Sequence, residues 1–409
     1  MAIKAGQILH VGNDTLVIDR IQTAGPGNLN IPTEKIYELG NFESVATIRD
    51  VPDLSFTLES LDTSTEIEEW LTGGNPASGI AINAAKPVDV ISPFKAGKDA
   101  AAPFNIVASV GLPYLTMESL SYRFGLRDNA RQTVGLRGDS IFYNPGSTYI
   151  EKAVASGSAG QTVVTTNPAL NYTDANGVRR ALAVEVGTKR LSLGVDYTED
   201  AVPGTPGPLT VTITDAQATG AEIRVMYASP TLRVYDQLVH APTKVVVGAP
   251  SPKPAAVRGK DIDVYIGVGG ASVPANKVGT VQAVTVDWRV TLEKDEEFGN
   301  YYAIGQDFDV PTVNGTIDLK PRDPADFFAK LRMITGTADP AAVIGPNTAT
   351  PLPMDIVIKD GANAGAVLKR LHVDDARFTV PGFQGRTQQK LTVTLNWESD
   401  SGNLLVFNN

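Results

Sequence analysis

Apolar and polar residues alternate with a period of two over most of this 409-residue chain. This alternation predicts half-buried β-strands, because successive side chains on a strand point to opposite faces of a sheet. The segments are separated by turn-forming residues, among them 38 Gly and 27 Pro. We therefore predict a mainly β protein. Its clearest strands are Ser55–Leu61, Leu209–Thr214, Glu222–Ala228, Asp261–Ile266, Val281–Leu292, Gly315–Leu319 and Lys390–Trp397.

Helical periodicity predicts two short helices, Thr63–Leu71 and Pro324–Thr335. Each opens on a capping signal, Asp62-Thr63-Ser64 in the first and Asp323 before a Pro in the second. Each is followed by a Gly in the C′ position, Gly73 and Gly336. The predicted apolar faces consist of Ile67, Trp70 and Leu71 in the first helix and of Phe327, Phe328, Leu331 and Ile334 in the second.

The two ends of the chain repeat the same order of patterns. Residues 6–12 (GQILHVG) match 259–267 (GKDIDVYIG), and 37–42 (YELGNF) match 302–308 (YAIGQDF). A strand and a capped helix follow in both, ending in Thr-Gly at 72–73 and 335–336. The offset stays near 260, so we interpret the ends as a duplicated domain. The alternative is two unrelated β domains that share turn residues.

Four segments follow from these patterns: a first β domain over 1–155, a small Ig-like β-sandwich over 160–228, a connector over 229–256 and a second β domain over 257–409. The connector contains five prolines, which predicts a stiff, extended chain. Residues 1–150 hold 11 Lys and Arg against 17 Asp and Glu, and 255–409 hold 15 against 19. Residues 151–254 hold 9 of each. The acidic excess therefore lies in the two repeated domains.

No catalytic constellation is visible, and we predict that the protein is not an enzyme and holds no metal or cofactor. There is no Cys, which excludes disulfides and thiolate sites. His10, His240 and His372 lie far apart, and only His372, with Asp374 and Asp375, suggests even a partial metal site. The Gly-rich 267–270 (GVGG) lacks the helix and Lys of a phosphate loop, and no Gly-x-Ser-x-Gly elbow occurs.

Charge argues against tight nucleic-acid binding, because the chain has a net charge of −10. The acidic run at Glu293 and Asp295–Glu297 lacks a calcium-loop pattern and predicts a solvated face. One Arg-rich stretch consists of Arg123, Arg127, Arg131 and Arg137. We interpret it as a subunit contact to acidic neighbours; the alternative is a grip on nucleic acid. The three tryptophans, Trp70, Trp288 and Trp397, fit core positions rather than a carbohydrate platform. The first 20 residues show no signal-peptide pattern, and no apolar run is long enough for a membrane helix.

Residues 31–73 resemble the tail tube (major tail) proteins of long-tailed bacteriophages. The shared pattern is an Arg-Asp-x-Pro segment (Arg49–Pro52) that leads into a Ser-Phe-Thr-Leu-Glu-Ser strand (Ser55–Ser60) and then a short helix. Residues 131–147 (RQTVGLRGDSIFYNPGS) resemble the same family. The resemblance is good over 1–150 and extends to 255–409 through the repeat.

The resemblance implies two tail-tube-type β-sandwich or barrel domains, each with one short helix, that join side by side into rings. One-domain relatives assemble six-fold, so two domains imply a ring of three chains with pseudo-six-fold symmetry. Stacked rings would form a conduit for DNA ejection, with an acidic lumen that repels phosphates and binds no DNA specifically. The implied location is the virion tail, assembled in the host cytoplasm.

The implied partners are other copies of the chain and further tail proteins, such as tape measure, terminator and baseplate components. The middle sandwich would project from the outer surface. The Ala-, Gly- and Pro-rich segments 75–104 and 337–355 read as loops that reach the neighbouring ring. The alternative is a baseplate or surface-adhesin β-protein that uses the middle sandwich for binding.

Overall fold

A computed structural model describes most of the chain and shows a mainly β protein, as predicted. The residues that it describes are 8–14, 16–18, 20–37, 44–49, 51–61, 63–83, 86–95, 104–174, 177–200, 206–235, 257–296, 302–335, 350–360, 366–379 and 391–408. No helix among these residues is long and apolar enough to cross a membrane.

The first part of the chain contains eleven strands and one helix. They are β1 (Val11–Gly12), β2 (Leu16–Val17), β3 (Ile21–Pro26), β4 (Thr33–Tyr37), β5 (Ser44–Arg49), β6 (Leu54–Ser60), α1 (Glu66–Thr72), β7 (Ile80–Ala81), β8 (Val88–Lys95), β9 (Phe104–Gly125), β10 (Arg131–Gly138) and β11 (Phe142–Asn144).

The middle part contains ten further strands. They are β12 (Ser147–Val154), β13 (Gln161–Ala169), β14 (Tyr172–Asp174), β15 (Gly177–Arg179), β16 (Ala181–Val186), β17 (Lys189–Arg190), β18 (Tyr197–Glu199), β19 (Gly207–Ile213), β20 (Glu222–Ser229) and β21 (Val234–Tyr235).

The last part contains nine strands and the second helix. They are β22 (Ile262–Ile266), β23 (Val281–Arg289), β24 (Leu292–Asp295), β25 (Gly305–Phe308), β26 (Thr312–Leu319), α2 (Pro324–Thr335), β27 (Leu352–Lys359), β28 (Val367–Phe378), β29 (Val393–Ser399) and β30 (Leu405–Phe407).

The first and last parts make the same set of strand pairings. In the first part β3 pairs with β6, β6 with β10, β10 with β9, β9 with β8 and β11, and β8 with β1. In the last part β23 pairs with β26, β26 with β29, β29 with β28, β28 with β27 and β30, and β27 with β22. A hairpin precedes the helix in each, β4–β5 and β24–β25.

Local irregularities recur at matching places. Arg20 and Thr280 both have a left-handed backbone, with φ of 55° and 63°. Each is followed by a β-bulge at a glutamine, and the amides of Gln22 and Gln282 both donate to the carbonyl oxygen two residues earlier, at 3.3 Å. A positive φ is energetically costly for residues other than Gly, so its occurrence at matching places favours a repeated domain over two unrelated domains that share turn residues. The sequence predicted only the order of the matching elements.

Corresponding positions can therefore be assigned from the pairings. Leu58 pairs with Ala24 and Val134, and Ile317 pairs with Val284 and Leu395. Val134 and Leu395 therefore correspond, as do Leu136 and Trp397, which lie two residues further along the same strands. Met117 lies opposite Leu136 and Phe378 opposite Trp397, so these two also correspond. Positions in β9 and β28 thus differ by 261, and those in β3 and β23 by 260.

The middle part is a sandwich of two sheets, β12-β20-β16-β17 and β13-β19-β18, around its own core. Strand β12, which we assigned to the first domain, pairs along its length with β20. The opposite face of the four-stranded sheet packs on the first part through a second cluster that includes Ile91, Ile106, Ile150 and Met226. Both faces of this sheet are therefore covered.

The expectation that 75–104 and 337–355 form loops is wrong for 80–81, 88–95, 104 and 352–355, which lie in strands. Strands β7 and β8 lie in the first segment, and β27 begins at Leu352 in the second. Strand β8 is buried at almost every position, so its sequence lacks the alternation that marks a half-buried strand. Residues 96–103 and 336–349 lie outside the described residues.

The helix predictions need two corrections. Helix α1 begins at Glu66 rather than Thr63, and its N-cap Thr65 donates to Glu69 Oε1 at 2.6 Å instead of accepting from the backbone. Gly73 ends it with φ 71°, as predicted, whereas Gly336 lies outside the described residues. In α2, Asp323 accepts from the Asp326 amide at 2.7 Å, as its capping role requires. Phe328 is 56% exposed, so it does not belong to the buried face.

Candidate functional site: a shared sheet with two open edges

The first and last parts of the chain are joined into a single antiparallel sheet. The C-terminal half of β9 pairs with β23 over seven positions, from Gly125 opposite Ala283 to Ser119 opposite Arg289. Backbone bonds from Leu126 N to Gln282 O (2.8 Å) and from Val290 N to Glu118 O (3.0 Å) extend the pairing at both ends. Eight strands thus run in the order β3-β6-β10-β9-β23-β26-β29-β28.

One outer edge of this eight-strand sheet is open within the described residues, and only the start of the other is described. The register of strand β3 is with β6. The amide of Gly27 donates to Ser55 O, so odd-numbered residues here face β6, and Ala24 and Pro26 direct their backbone outward. Proline at an outward position costs no ladder bond. At the other end, β27 covers β28 as far as Ala376, and Phe378 pairs with β29 on its described side. The residues that correspond to Ser119–Gly125 of β9, 380–386, lie outside the described residues.

One face of the sheet is buried, and the other is polar. The buried face contributes the main core, including Trp288 and Trp397, and α1 places Trp70 in the same core. All three tryptophans are therefore core residues, as predicted. The opposite face is lined by Ser, Thr and Asn, of which Thr57, Thr133, Thr285, Asn314, Thr394 and Asn396 are examples.

Charged groups of both signs lie on the polar face. Its described arginines include Arg123, Arg131, Arg137, Arg289 and Arg377, and the carboxylates on or beside it include Glu59, Asp287, Asp318, Glu398, Glu118, Asp53 and Asp400. Arg131 pairs with Glu59 at 2.9 Å, and Ser121 donates to Asp287 across the β9–β23 junction.

A buried polar cluster links α1 to the last part of the chain. Glu68 Oε1 accepts from Tyr122 Oη (2.5 Å), Gln132 Nε2 (2.8 Å) and Lys369 Nζ (2.6 Å). Glu68 and Lys369 are 0% and 1% exposed. Burial, reinforced by Glu68, raises the pKa of Tyr122 far above its ordinary value, so the phenol stays a donor. The cluster lies beneath the β9–β23 junction and joins both sides of it.

A second buried network attaches the middle sandwich. Arg190 pairs with Asp139 at 2.7 Å, and the other Asp139 oxygen accepts from the Ala303 amide at 2.9 Å. Arg224 pairs with Asp89 at 3.3 Å and also with Glu185. Burial, with Asp89 nearby, raises the pKa of Glu185. The network therefore touches all three parts of the chain, which a freely projecting appendage would not need.

The histidines occupy structural environments. His10 is buried, 3.1 Å from Ser92 Oγ and edge-on to Phe56, and burial lowers its pKa to about 4. His372 lies between Asp355 (2.6 Å) and Asp374 (2.8 Å). The hydrogen bond to Asp355 raises its pKa. Among the described residues no group of three or more His, Asp or Glu could hold a metal ion. His240 lies outside them.

The remaining sequence candidates are also accounted for. The 267–270 segment is a loop after β22, and the adjacent Ala271 amide donates to Asp355 at 2.6 Å. Arg137 binds Asp53 through two nitrogens, at 2.8 and 3.2 Å, and Arg131 binds Glu59, so two of the four arginines in the Arg-rich stretch pair with acids of their own chain. Glu293 and Asp295 lie on the hairpin strand β24, and Glu297 lies outside the described residues.

Sequence reasoning missed the β9–β23 junction, because each strand reads as an ordinary amphipathic strand whatever lies beside it. The resemblance to tail tube proteins was the only signal that such an edge-to-edge contact exists. Comparison of the sequence with models of known protein families gives no match. Comparison with curated proteins also gives no match.

Proposed function

We propose that this protein is a structural virion protein that assembles into rings and stacks them as the tail tube of a bacteriophage. The observation that carries the proposal is the β9–β23 junction: two similar parts of the chain already share one sheet, and the edge at β3 has no partner among the described residues. Open edges invite pairing with another chain unless they are blocked. A second copy that repeats the internal junction covers the β3 edge, and closing a ring covers every edge of the sheets.

The internal junction specifies how copies would join. Within the chain, β9 pairs with β23. Between copies, β28, the counterpart of β9, would pair with β3 of the next copy, the counterpart of β23. The contact is head-to-tail and closes a ring when the rotation allows. Six domains require three chains, and eight strands per chain give a barrel of 24. At ordinary strand spacing and tilt its backbone diameter is roughly 50 Å, wide enough for a DNA duplex.

The polar face then lines the lumen, since the opposite face is core. Along the described strands, its charges of both signs and its short Ser, Thr and Asn side chains offer neither a continuous basic stripe for phosphates nor aromatic stacking platforms. DNA would slide past without specific binding. The acidic lumen that the resemblance implies stays a prediction.

The test uses an edge residue whose backbone points to the neighbour. Ala24→Pro removes an outward-pointing amide hydrogen, the counterpart of the Val284 amide hydrogen. The backbone hydrogen bonds from β3 to β6 are kept, because they come from the odd-numbered residues. Ala24→Val is the matched control, because it keeps the amide and installs the residue found at the corresponding position. Assembly is measured by negative-stain microscopy and sedimentation.

We expect wild type and Ala24→Val to form rings of three chains or tubes, and Ala24→Pro to stay monomeric with a nearly unchanged melting temperature. A wild-type chain that remains monomeric at high concentration would refute the proposal. Normal assembly by Ala24→Pro would refute the edge contact. The rival function, a baseplate or adhesin protein, predicts no continuous tube in any variant.

A further inference from the structure

Beneath the shared sheet, α1 and the segment after it make a second contact with the last part of the chain. Besides the Glu68–Lys369 pair, β7 pairs with β30, and Ile82 N donates to Leu404 O at 2.9 Å. A Cβ at Gly79 would lie 2.6 Å from the Phe407 ring, so the two surfaces are closely packed. This packing, together with packing against the strands of the first part, buries Ile67, Trp70 and Leu71.

The corresponding surfaces at the two ends of the chain are less buried. Helix α2 ends at Thr335 as α1 ends at Thr72, and among its described side chains Leu331 is half-buried against the main core and Phe328 is 56% exposed. The side chains of Phe327, Lys330 and Met333–Thr335 lie outside the described residues. The counterpart of β30 is β11, because both pair with equivalent positions of β28 and β9. Tyr143 is 74% exposed, whereas its counterpart Val406 is 0% exposed.

A second exposed residue lies beside the first. Val107 occupies the bulge in β9 that Leu368 occupies in β28. Val107 is 49% exposed, whereas Leu368 packs against the main core. Apolar positions that are covered at the internal junction are thus exposed where the chain has no neighbour.

We infer that α2 of one copy docks on the β9–β11 surface around Val107 and Tyr143 of the next copy, in the way that α1 docks on β28 and β30 within the chain. The occupant is a second copy, because the same contact between the same elements is already made internally. The inference rests on the proposed ring. It adds an outer-layer interface to the edge-to-edge pairing of strands.

The two junctions differ in chemistry. With helix ends aligned, Glu68 corresponds to Leu331, and with strands aligned, Lys369 corresponds to Ala108 and Gln132 to Val393. The three polar residues at the internal junction therefore have apolar counterparts at the open junction. A Glu68 docked against Ala108 of another copy would be buried without its cation, which is strongly unfavourable. The ion pair therefore directs each helix to its proper neighbour, so that first and last parts alternate around the ring.

Rebuilding the ion pair at the open junction tests the correspondence. Leu331→Glu and Ala108→Lys are made singly and together in the full chain, and the lowest concentration that gives rings or tubes is measured by sedimentation and microscopy. Each single variant buries one uncompensated charge, and we expect that concentration to rise by at least about tenfold. The double variant restores a pair across the junction and should recover much of the loss.

Control variants separate docking from folding and from general surface effects. Tyr143→Asp should impair assembly, whereas Val195→Asp, at a residue 66% exposed in the middle sandwich, should not. Circular dichroism and thermal melting confirm that each monomer is folded. The inference is overturned if the single variants and Tyr143→Asp assemble normally, or if the double variant is no better than the singles while the wild type still forms rings. Failure of the wild type to assemble would instead overturn the proposed function.

Discussion

Buried ionisable residues carry the most information at the scale of single residues. Glu68 and Lys369 come from opposite ends of the sequence, and neither could be placed in a core from its surroundings in the chain. Each is compensated only by the other, by Tyr122 and by Gln132. A buried pair contributes modest net stability when complete but is costly to break.

Removing one partner of the pair should be much worse than replacing both. We expect Lys369→Met to lower the free energy of unfolding by about 3–5 kcal/mol, because it leaves Glu68 buried and uncompensated. The double variant Glu68→Gln with Lys369→Met should recover most of that loss. Urea denaturation of the single and double variants measures both values. Equal losses for the two would show that packing rather than charge determines the effect.

His10 should make stability fall in mild acid. Its pKa in the folded protein is about 4, below the ordinary value of 6.5, so the unfolded chain binds more protons between these pH values. Stability from this residue is complete above about pH 6.5 and is lost as pH falls toward 4, by about 3 kcal/mol in total. The free energy of unfolding, measured against pH, should lose this component in His10→Gln.

His372 should act in the opposite direction. Its pKa is raised by Asp355 and Asp374, so its stabilisation is complete below the ordinary pKa and declines as pH rises through the higher folded value. The same titration on His372→Asn should flatten the curve on the alkaline side while leaving the acid limb set by His10. A variant that also lost the acid limb would show that the two sites are coupled.

At the scale of elements, the helix α1 depends on a left-handed residue at its end. Gly73 has φ 71°, and a Cβ there would meet only the flexible end of Lys86. Gly73→Ala should therefore cost about 1 kcal/mol, mostly through backbone strain. Gly160→Ala is the control, because Gly160 has φ 73° with open space around it. Chemical denaturation should give similar losses for both; a much larger loss at Gly73 would indicate crowding.

The middle sandwich behaves as a packed layer rather than a pendant domain. Excision of 160–228 would leave β12 without β20 and uncover Ile91, Ile106 and Ile150. We expect this deletion to reduce the yield of soluble, folded protein. The same deletion with Ile91→Thr and Ile106→Thr should recover some of it, because less apolar surface is exposed. Soluble yield and thermal melting compare the two deletion variants with the intact chain.

At the scale of the whole molecule, the first and last parts share one hydrophobic core as well as one sheet. Neither is an independent unit, so we expect both to unfold in a single cooperative transition. Cleavage at a protease site inserted within 236–256 should leave two fragments that migrate together on a sizing column without denaturant. Separation of the fragments would mean that β9–β23 and the α1 contacts do not hold the chain together.

The sequence by itself determined the class of fold, both helices, the half-buried strands and the order of the repeat, because periodicity and caps are local properties. It could not reveal β8, whose two buried faces remove the alternation, or the partner of β23, since strand edges carry no mark of their neighbour. It also gave no reason for two similar helices to differ in burial. Only the tertiary structure decided that. Helix α1 lies against β28 and β30 of the last part, whereas the equivalent surface, formed by β9 and β11, does not lie against α2 in the described part of the chain.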